Sequence, residues 1–402
     1  MVVKIKKEDL LLAPADIKPS LKSFEVLGVL NPAAIRLADG NVLLYVRVLE
    51  RLIKREDEKY FYSPRMVGKN EFKIKLDKFP KDIVEDNTDV DILFKDGTKR
   101  LTFISHFRRV LLDKTGFKIL NLDKEPSFYG ISNDGELGVE DPRITKIGNL
   151  FIMTYVCLSR DHNISTACAI STDGYNWDRQ GIIFGEQDKD VVIFPEKING
   201  RYVAFDRPEG NFQFSQPHIW IAYSTDLKSW GDLKPISNVY EEEGFCPRNG
   251  AGPPPIKTKK GWLLLYHAVT EFKETEQEKE ILKKLRKIVK LKNNIVNQIS
   301  SLEEEMIKKV SVYSVGGALF DLNNPEKLLA KSKDFLIVPT NKWEMASFEY
   351  KRVIFPTAAI LDEKEKDLLI FSGAGDIYTT VKKISLNSIL KSLRKVREIK
   401  KK

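Results

Sequence analysis

One motif recurs five times along this chain, and a chain that repeats itself must satisfy the same packing rule at every copy. The unit is a proline near an apolar strand, a turn, and a second strand rich in aromatic and aliphatic residues. It reads NPAAIRLADGNVLLYVRV at 31–48, DPRITKIGNLFIMTYVC at 141–157, FPEKINGRYVAFDRP at 194–208, PPPIKTKKGWLLLYHAV at 253–269 and FPTAAILDEKEKDLLIFSG at 355–373. A second mark, STDGYNW at 171–177 and STDLKSW at 224–230, is offset by 53 residues, as Pro195 is from Pro142. Each copy alternates apolar and polar residues between Gly, Asn, Asp or Lys turns, the pattern of antiparallel hairpins rather than helices. A strand-built repeat of about 50 to 60 residues predicts an all-β fold, a five-bladed β-propeller, because radial packing of small sheets buries both faces of each. We expect residues 1–402 to form this single domain, with residues 51–100 as an elaboration of the first blade.

One stretch breaks the β pattern. From Glu271 to Lys309 there is no Gly or Pro, and Ile281, Leu285, Ile288, Ile295, Ile299, Leu302 and Met306 fall at three- and four-residue steps, with Lys292 alone filling an expected apolar position. The spacing predicts a helical hairpin inserted over 271–310, turning near Lys292, Asn293 and Asn294. Its apolar stripe can pack between its own arms or against a second copy, making a homo-oligomer. The chain carries 66 Lys+Arg against 57 Asp+Glu, and much of the excess lies in this segment and in the tail from Lys391 to Lys402. Such runs read as solvated faces and a frayed end rather than a nucleic-acid surface. No apolar run approaches membrane-spanning length, the N-terminus shows no cleavage signal, and the three cysteines, Cys157, Cys168 and Cys246, suit a reducing compartment. A cytoplasmic protein without membrane or nucleic-acid partners is the expectation.

In a propeller the inner strands line a central funnel, so polar residues that interrupt the repeated strands are candidates for chemistry. The second strands supply Arg47, Tyr155, Arg207 and His267, with Asp376 just past the fifth copy. The first strands add Asn31 before Pro32 and Glu140-Asp141 before Pro142; a carboxylate ahead of proline is expected in extended geometry, projecting into the funnel at a fixed position, which makes Asp141 a candidate proton donor. Lys189, Arg207, Arg248 and His267 gather in the next two units, a set of cationic or proton-donating groups suited to an anion. The competing reading pairs them with Asp188, Asp190, Asp206 and Glu209, and the sequence leaves both open. His106, His162, His218 and His267 have no metal-binding spacing, and neither a GxSxG elbow nor a GxxxxGKS loop is present. The glycines of GAGPPP at 250–255 read as places of close backbone approach, and Trp177 and Trp230 as packing between blades.

The segments GVEDPRIT, DVVIFPEKINGRYVAFDRP, NGAGPPPIKTKKGWLLLYHAV and IFPTAAI followed by FSGAGD resemble glycoside hydrolase family 130, the β-mannoside phosphorylases and their hydrolytic relatives. The resemblance covers about residues 5–270 and 311–382. It implies inverting phosphorolysis of a β-mannoside at its non-reducing end, with inorganic phosphate as co-substrate, α-mannose 1-phosphate as product, and neither cofactor nor metal. Carried over residue by residue, it makes Asp141 the general acid, acting through the 3-hydroxyl of the mannosyl unit. It makes Lys189, Arg207, Arg248 and His267 the phosphate ligands, and Asn31, Arg47 and Asp376 the mannosyl ligands; Tyr155 is a candidate from the repeat alone. The chain departs from the family's common Arg-Asn at Lys189-Asp190, and has Asp206 where histidine is common. An added carboxylate there is a candidate base for water, so an inverting β-mannosidase remains an alternative, with a non-catalytic sugar-binding propeller as a third.

Overall fold

The computed structural model describes residues 3–69, 71–209, 217–236, 248–273, 309–345 and 351–396. The fold is mostly β, with one short α-helix, Leu386–Ser392, among the described residues. Five antiparallel sets of strands follow one another along the chain. Sheet 1 holds Phe24–Arg36, Val42–Leu52, Phe103–Leu112 and Ile119–Leu122. Sheet 2 holds Gly138–Ile147, Leu150–Ser159, Asn163–Ser171 and Asp178–Phe184, and sheet 3 Asp188–Ile193, Tyr202–Pro208, Trp220–Ser224 and Trp230–Pro235. Sheet 4 is built on Asn249–Ala251, Ile256–Thr258, Gly261–Lys273, Lys309–Phe320 and Leu328–Ser332. In sheet 5, Lys351–Leu361, Asp367–Ala374 and Tyr378–Ser385 are completed by the N-terminal strand Ile5–Leu12, so the two ends of the chain share one sheet. A short parallel pairing, Ser311↔Lys351 to Tyr313↔Val353, joins sheets 4 and 5.

The strand period of two explains how these sheets pack. In sheet 3, Val203 and Phe205 face sheet 4, where they meet Trp262, Leu264 and Phe320, while Ala204 faces sheet 2 and joins Ile152 and Cys168. Leu43 and Tyr45 of sheet 1 pack with Met153 and Tyr155 of sheet 2, and the alternate Val42, Leu44 and Val46 pack with Leu369 and Phe371 of sheet 5. Leu263 and Leu265 of sheet 4 meet Leu368 and Ile370 of sheet 5. Apolar clusters therefore link sheet 1 to 2, 2 to 3, 3 to 4, 4 to 5 and 5 back to 1. Trp177 stands edge-on to Tyr45 across the first of these interfaces, and Trp230 lies on Phe184 across the second, both at sheet-to-sheet contacts as expected.

The repeat marks prove unequal. Ser171 and Asp173 cap the turn before Trp177 through the same bonds that Ser224 and Asp226 make before Trp230, so the 53-residue offset holds at this outer turn. It fails at the inner strands. Glu140 faces Val156 and Lys189 faces Arg207, and after each the register slips, so Asp141 matches Asp190 and Pro142 matches Val191. Pro195 lies beyond the end of its strand.

Residues 60–101 form a hairpin, Tyr60–Met66 with Ile74–Pro80, and a three-stranded sheet of Val84–Asn87, Asp91–Phe94 and Lys99–Leu101. The helical hairpin expected over 271–310, and the oligomer contact assigned to it, lie outside the described residues except at the segment's ends. Those ends are strand, and Lys273 pairs with Lys309, so the two sides of the insertion meet. The expected frayed tail from Lys391 begins instead as the last helical turn and the strand Leu393–Lys395, paired with Leu328–Ser332; residues 397–402 lie outside the described residues. No helix among the described residues is long and apolar enough to cross a membrane.

Phe205 is fully buried where sheets 3 and 4 meet. Truncation there leaves a cavity that a close-packed sheet interface cannot refill, so Phe205→Ala is expected to cost about 3–5 kcal/mol in urea unfolding.

Candidate active site

Three inner strands carry the same local device. In sheets 1, 2 and 3 the register slips between Leu30 and Ala33, between Glu140 and Arg143, and between Lys189 and Val192. The residue at each bulge, Asn31, Asp141 or Asp190, has a left-handed backbone, with φ of 45°, 50° and 56°, so the bulge overrides the extended geometry expected of Asp141 ahead of Pro142. Side chains of Asn and Asp tolerate this region better than most, yet the conformation still costs about 1–3 kcal/mol, and it is held only where surrounding contacts demand it. Asp376 has a φ of 56° in the turn after Asp367–Ala374.

Around Asp141 the contacts are short and directional. Asn31 Nδ2 donates to Asp141 Oδ1 at 2.8 Å, and Arg47 Nη1 donates to the same oxygen at 3.0 Å. The other arm of Arg47 pairs with Glu140. Burial lowers the pKa of Arg47, but Glu140, Asp141 and Asp376 outweigh it and leave the guanidinium more firmly protonated than usual. Asn31 Oδ1 closely approaches Gly373; a Cβ on that glycine would stand 1.9 Å from it.

The second group forms around Asp190. Its Oδ1 accepts from Arg143 Nη2 at 2.8 Å, and its Oδ2 lies 3.0 Å from Arg207 Nη1 and 3.4 Å from His267 Nε2. Arg207 also contacts His267 Nε2 at 3.3 Å and Glu209 at 3.0 Å, and Glu209 reaches Arg248 at 3.3 Å. Lys189 is the residue before Asp190, directly across from Arg207. Gly250 makes this convergence possible: a Cβ there would stand 2.2 Å from Asp190 Oδ2 and 2.6 Å from His267 Cε1. Arg143 joins the two groups, because its Nη1 donates to the backbone oxygen of Asp141 at 3.1 Å. The structure thus brings Asn31, Arg47, Asp141, Arg207, Arg248 and His267 into one chain of contacts, with Lys189 beside it and Asp376 close enough to act on Arg47.

Burial would raise the pKa of Asp190, but Arg207, Arg143 and Lys189 reverse this and hold the carboxyl well below its usual range. Burial with nearby guanidinium charge pushes His267 down to about 3, so this imidazole is neutral near pH 7. The sequence grouping of four cationic or proton-donating residues is therefore three cations and one neutral ring. The suspected neutralisation is partial: Arg143, Arg207 and Arg248 pair with Asp190 and Glu209, and the charge of Lys189 also acts on Asp190. Asp188 stands at the edge of this group, its Oδ1 accepting from the backbone N–H of Arg207 at 3.3 Å. Asp206 follows the strand alternation onto the face opposite Arg207; desolvation pushes both carboxyls up, and the charge of Asp206 adds to the rise at Asp188.

Tyr155 goes elsewhere. Val156, not Tyr155, occupies the register position of Arg47 and Arg207, and a one-residue shift turns a side chain to the other face. The Tyr155 hydroxyl donates to Asp134 at 2.9 Å, and its ring packs on Phe107 and Phe128. Sequence reasoning missed Arg143 and Tyr313. Arg143 stood in view two residues after Asp141. Tyr313, beyond the insertion, has its ring 6.3 Å from that of His267, with Arg248, Lys351, Asp376 and Arg207 all acting on its hydroxyl; only register across the insertion reveals it.

A neutral, buried His267 has two measurable consequences. Its imidazole is expected not to titrate between about pH 5 and 8 in a ¹H–¹⁵N NMR series, whereas a free histidine titrates near 6.5. Because the unfolded chain takes up this proton first, its contribution weakens the fold as pH drops from about 6.5 toward 3.

The family model of glycoside hydrolase family 130, described as beta-1,4-mannooligosaccharide phosphorylase, matches residues 115–296 and 289–395. A beta-1,2-mannobiose phosphorylase of Listeria innocua is 31% identical over 399 residues, 96% of this chain and 97% of that one. A 1,2-beta-oligomannan phosphorylase of Thermoanaerobacter is 32% identical over 284 residues, 69% of this chain and 78% of its own. The solved Listeria innocua beta-1,2-mannobiose phosphorylase, in complex with beta-1,2-mannobiose, superposes with a TM-score of 0.74 at 30% identity, covering 95% of this chain and 96% of that one. A mannose phosphorylase of Leishmania mexicana, 13% identical over 98% of this chain and 92% of its own, shares the fold at a TM-score of 0.55.

Proposed function

Since the chain belongs to glycoside hydrolase family 130, we propose that it is an inverting β-mannoside phosphorylase: it cleaves a β-mannoside with inorganic phosphate and releases α-mannose 1-phosphate. Asp141 supplies the proton for the leaving oxygen, Asn31, Arg47 and Asp376 hold the mannosyl unit, and Lys189, Arg207, Arg248 and His267 hold phosphate. The scaffold is a single five-bladed β-propeller. Five successive antiparallel sheets, apolar clusters that run from each sheet to the next and back to the first, and an N-terminal strand completing the last sheet support that reading. The relatives that phosphorolyse β-1,2-linked mannose support β-1,2-mannobiose or a β-1,2-oligomannan as substrate. Two buried free thiols, Cys157 and Cys168, support a reducing, cytoplasmic setting.

The observation that carries phosphorolysis over hydrolysis is the state of Asp190. Inverting hydrolysis needs a second carboxylate basic enough to take a proton from water. Of the two carboxylates paired with the cationic group, Asp190 is the more deeply buried, and the cations beside it hold its pKa well below the usual range, which makes it a poor base. The carboxyls pushed upward, Asp188 and Asp206, form a buried pair in which Asp188 accepts from the backbone N–H of Arg207 and Asp206 lies on the strand face away from it. Phosphate needs no such base. It arrives as a competent nucleophile and requires positive charge and a neutral donor to hold it against its own repulsion and that of the acid.

Incubation with β-1,2-mannobiose is expected to yield mannose 1-phosphate only when phosphate is supplied, with β-1,4-mannobiose a poorer substrate. Free mannose released at an undiminished rate without phosphate would overturn the assignment in favour of a mannosidase. Asp141→Asn keeps the shape of the side chain and removes the transferable proton, so turnover is expected to fall about 10²–10⁴-fold while the melting temperature stays near the parent's.

A further inference from the structure

We propose that Arg143 is a positioning residue that locks the general-acid backbone to the phosphate group through Asp190, so that the two halves of the reaction depend on one buried guanidinium. The proposal rests on the phosphorylase reading above and adds a residue to which that reading gives no role. Arg143 is only 2% exposed, and each edge of its planar fork has a partner. Nε donates to Gly252 O at 2.9 Å in the segment leading into sheet 4, Nη1 to Asp141 O at 3.1 Å in sheet 2, and Nη2 to Asp190 Oδ1 at 2.8 Å in sheet 3. The guanidinium also lies 5.7 Å from the ring of Phe355 in sheet 5. One side chain thus touches four successive units of the fold.

The cost of burying this charge indicates what it does. Removing a guanidinium from water costs several kcal/mol, which is recovered only when its hydrogen bonds are well made. Two of the three partners belong to strained bulges, the backbone oxygen of Asp141 at φ 50° and the carboxylate of Asp190 at φ 56°. Left-handed residues persist only where neighbours over-determine them, and Arg143 supplies such a constraint to both. Its guanidinium acts through Asp141 and Asp190 and touches no reacting atom. Lysine offers a point charge without the planar fork and cannot reach three acceptors set in three directions.

The link is tested on the full-length protein with two readouts: phosphate affinity by calorimetry with inorganic phosphate, and kcat at saturating phosphate across pH, whose basic limb reports the general acid. For Arg143→Lys, phosphate binding is expected to weaken roughly tenfold and kcat to fall roughly a hundredfold, as expected for an acid displaced by about 1 Å, with the basic limb moved. Asp190→Asn preserves volume and provides the second test. Asp190 does not touch Asp141, yet the proposal requires this substitution to disturb kcat and the basic limb as well as phosphate affinity. If Asp190→Asn weakens phosphate binding alone, with kcat and the pH limb at parental values, the two halves are independent and the proposal fails. It also fails if Arg143→Lys lowers only the melting temperature, leaving affinity and kcat per folded molecule unchanged. Should Arg143→Lys not fold, Asp190→Asn decides. Failure of the phosphorylase reading is separate, since it appears in the parent protein as phosphate-independent release of mannose.

Discussion

A strand packed on both faces has no side chains to spare, and this constraint shapes the rest of the molecule. Val203, Ala204 and Phe205 go alternately to the interface with sheet 4 and to the interface with sheet 2, and nothing in that alternation leaves room for chemistry. The bulges release one residue from it. Where the register slips at Asn31, Asp141 and Asp190, a polar side chain leaves the two-face pattern, and the strands resume their apolar alternation immediately afterward. Function and core then occupy the same strand without competing for positions. The left-handed backbone at each bulge is the cost, met by the ion pairs and hydrogen bonds that converge there.

Those contacts also decide how close an acid and an anion site can be. Arg47 divides its charge between Glu140 and Asp141 instead of committing it to the acid alone. On the other side, Asp190 and Glu209 orient Arg207 and Arg248 without matching the full positive charge around them. Carboxylates among cations at an anion site look self-defeating from a list of residue types. In space they fix the direction of guanidinium forks, and a fork held in place loses less freedom when it meets an anion.

Much of this was legible in the sequence because the repeat is strong. The strand pattern, the hairpin turns, the role of Gly250 as a place of close approach, and the gathering of Asn31, Arg47, Asp141, Arg207 and His267 all follow from where apolar runs are interrupted. What escaped was register. The Pro142 and Pro195 alignment is wrong by four positions because the first and second hairpins of sheet 3 are each two residues longer than those of sheet 2, which leaves the outer turn in phase and the inner strand out of it. The same insensitivity placed Tyr155 in a series to which Val156 belongs. Sequence periodicity reports that side chains alternate and is silent about the phase after a bulge. The neutrality of His267 lay beyond it too, since the pattern shows a polar residue ending a strand and not that the ring is sealed from water among three guanidinium groups.

The state of Asp190 shows how much chemistry a single neighbour can redirect. A carboxylate four residues before Phe194 and beside Lys189 could, by type, be the base of a hydrolase. In place it meets Arg143 and Arg207, and each cation that stabilises its charge removes some of its appetite for a proton. Water beside such a group gains little activation, whereas phosphate needs none. A carboxylate that is a poor base can therefore serve an anion-using enzyme by holding arginines in register, and the contacts that disqualify Asp190 from one reaction fit it to the other.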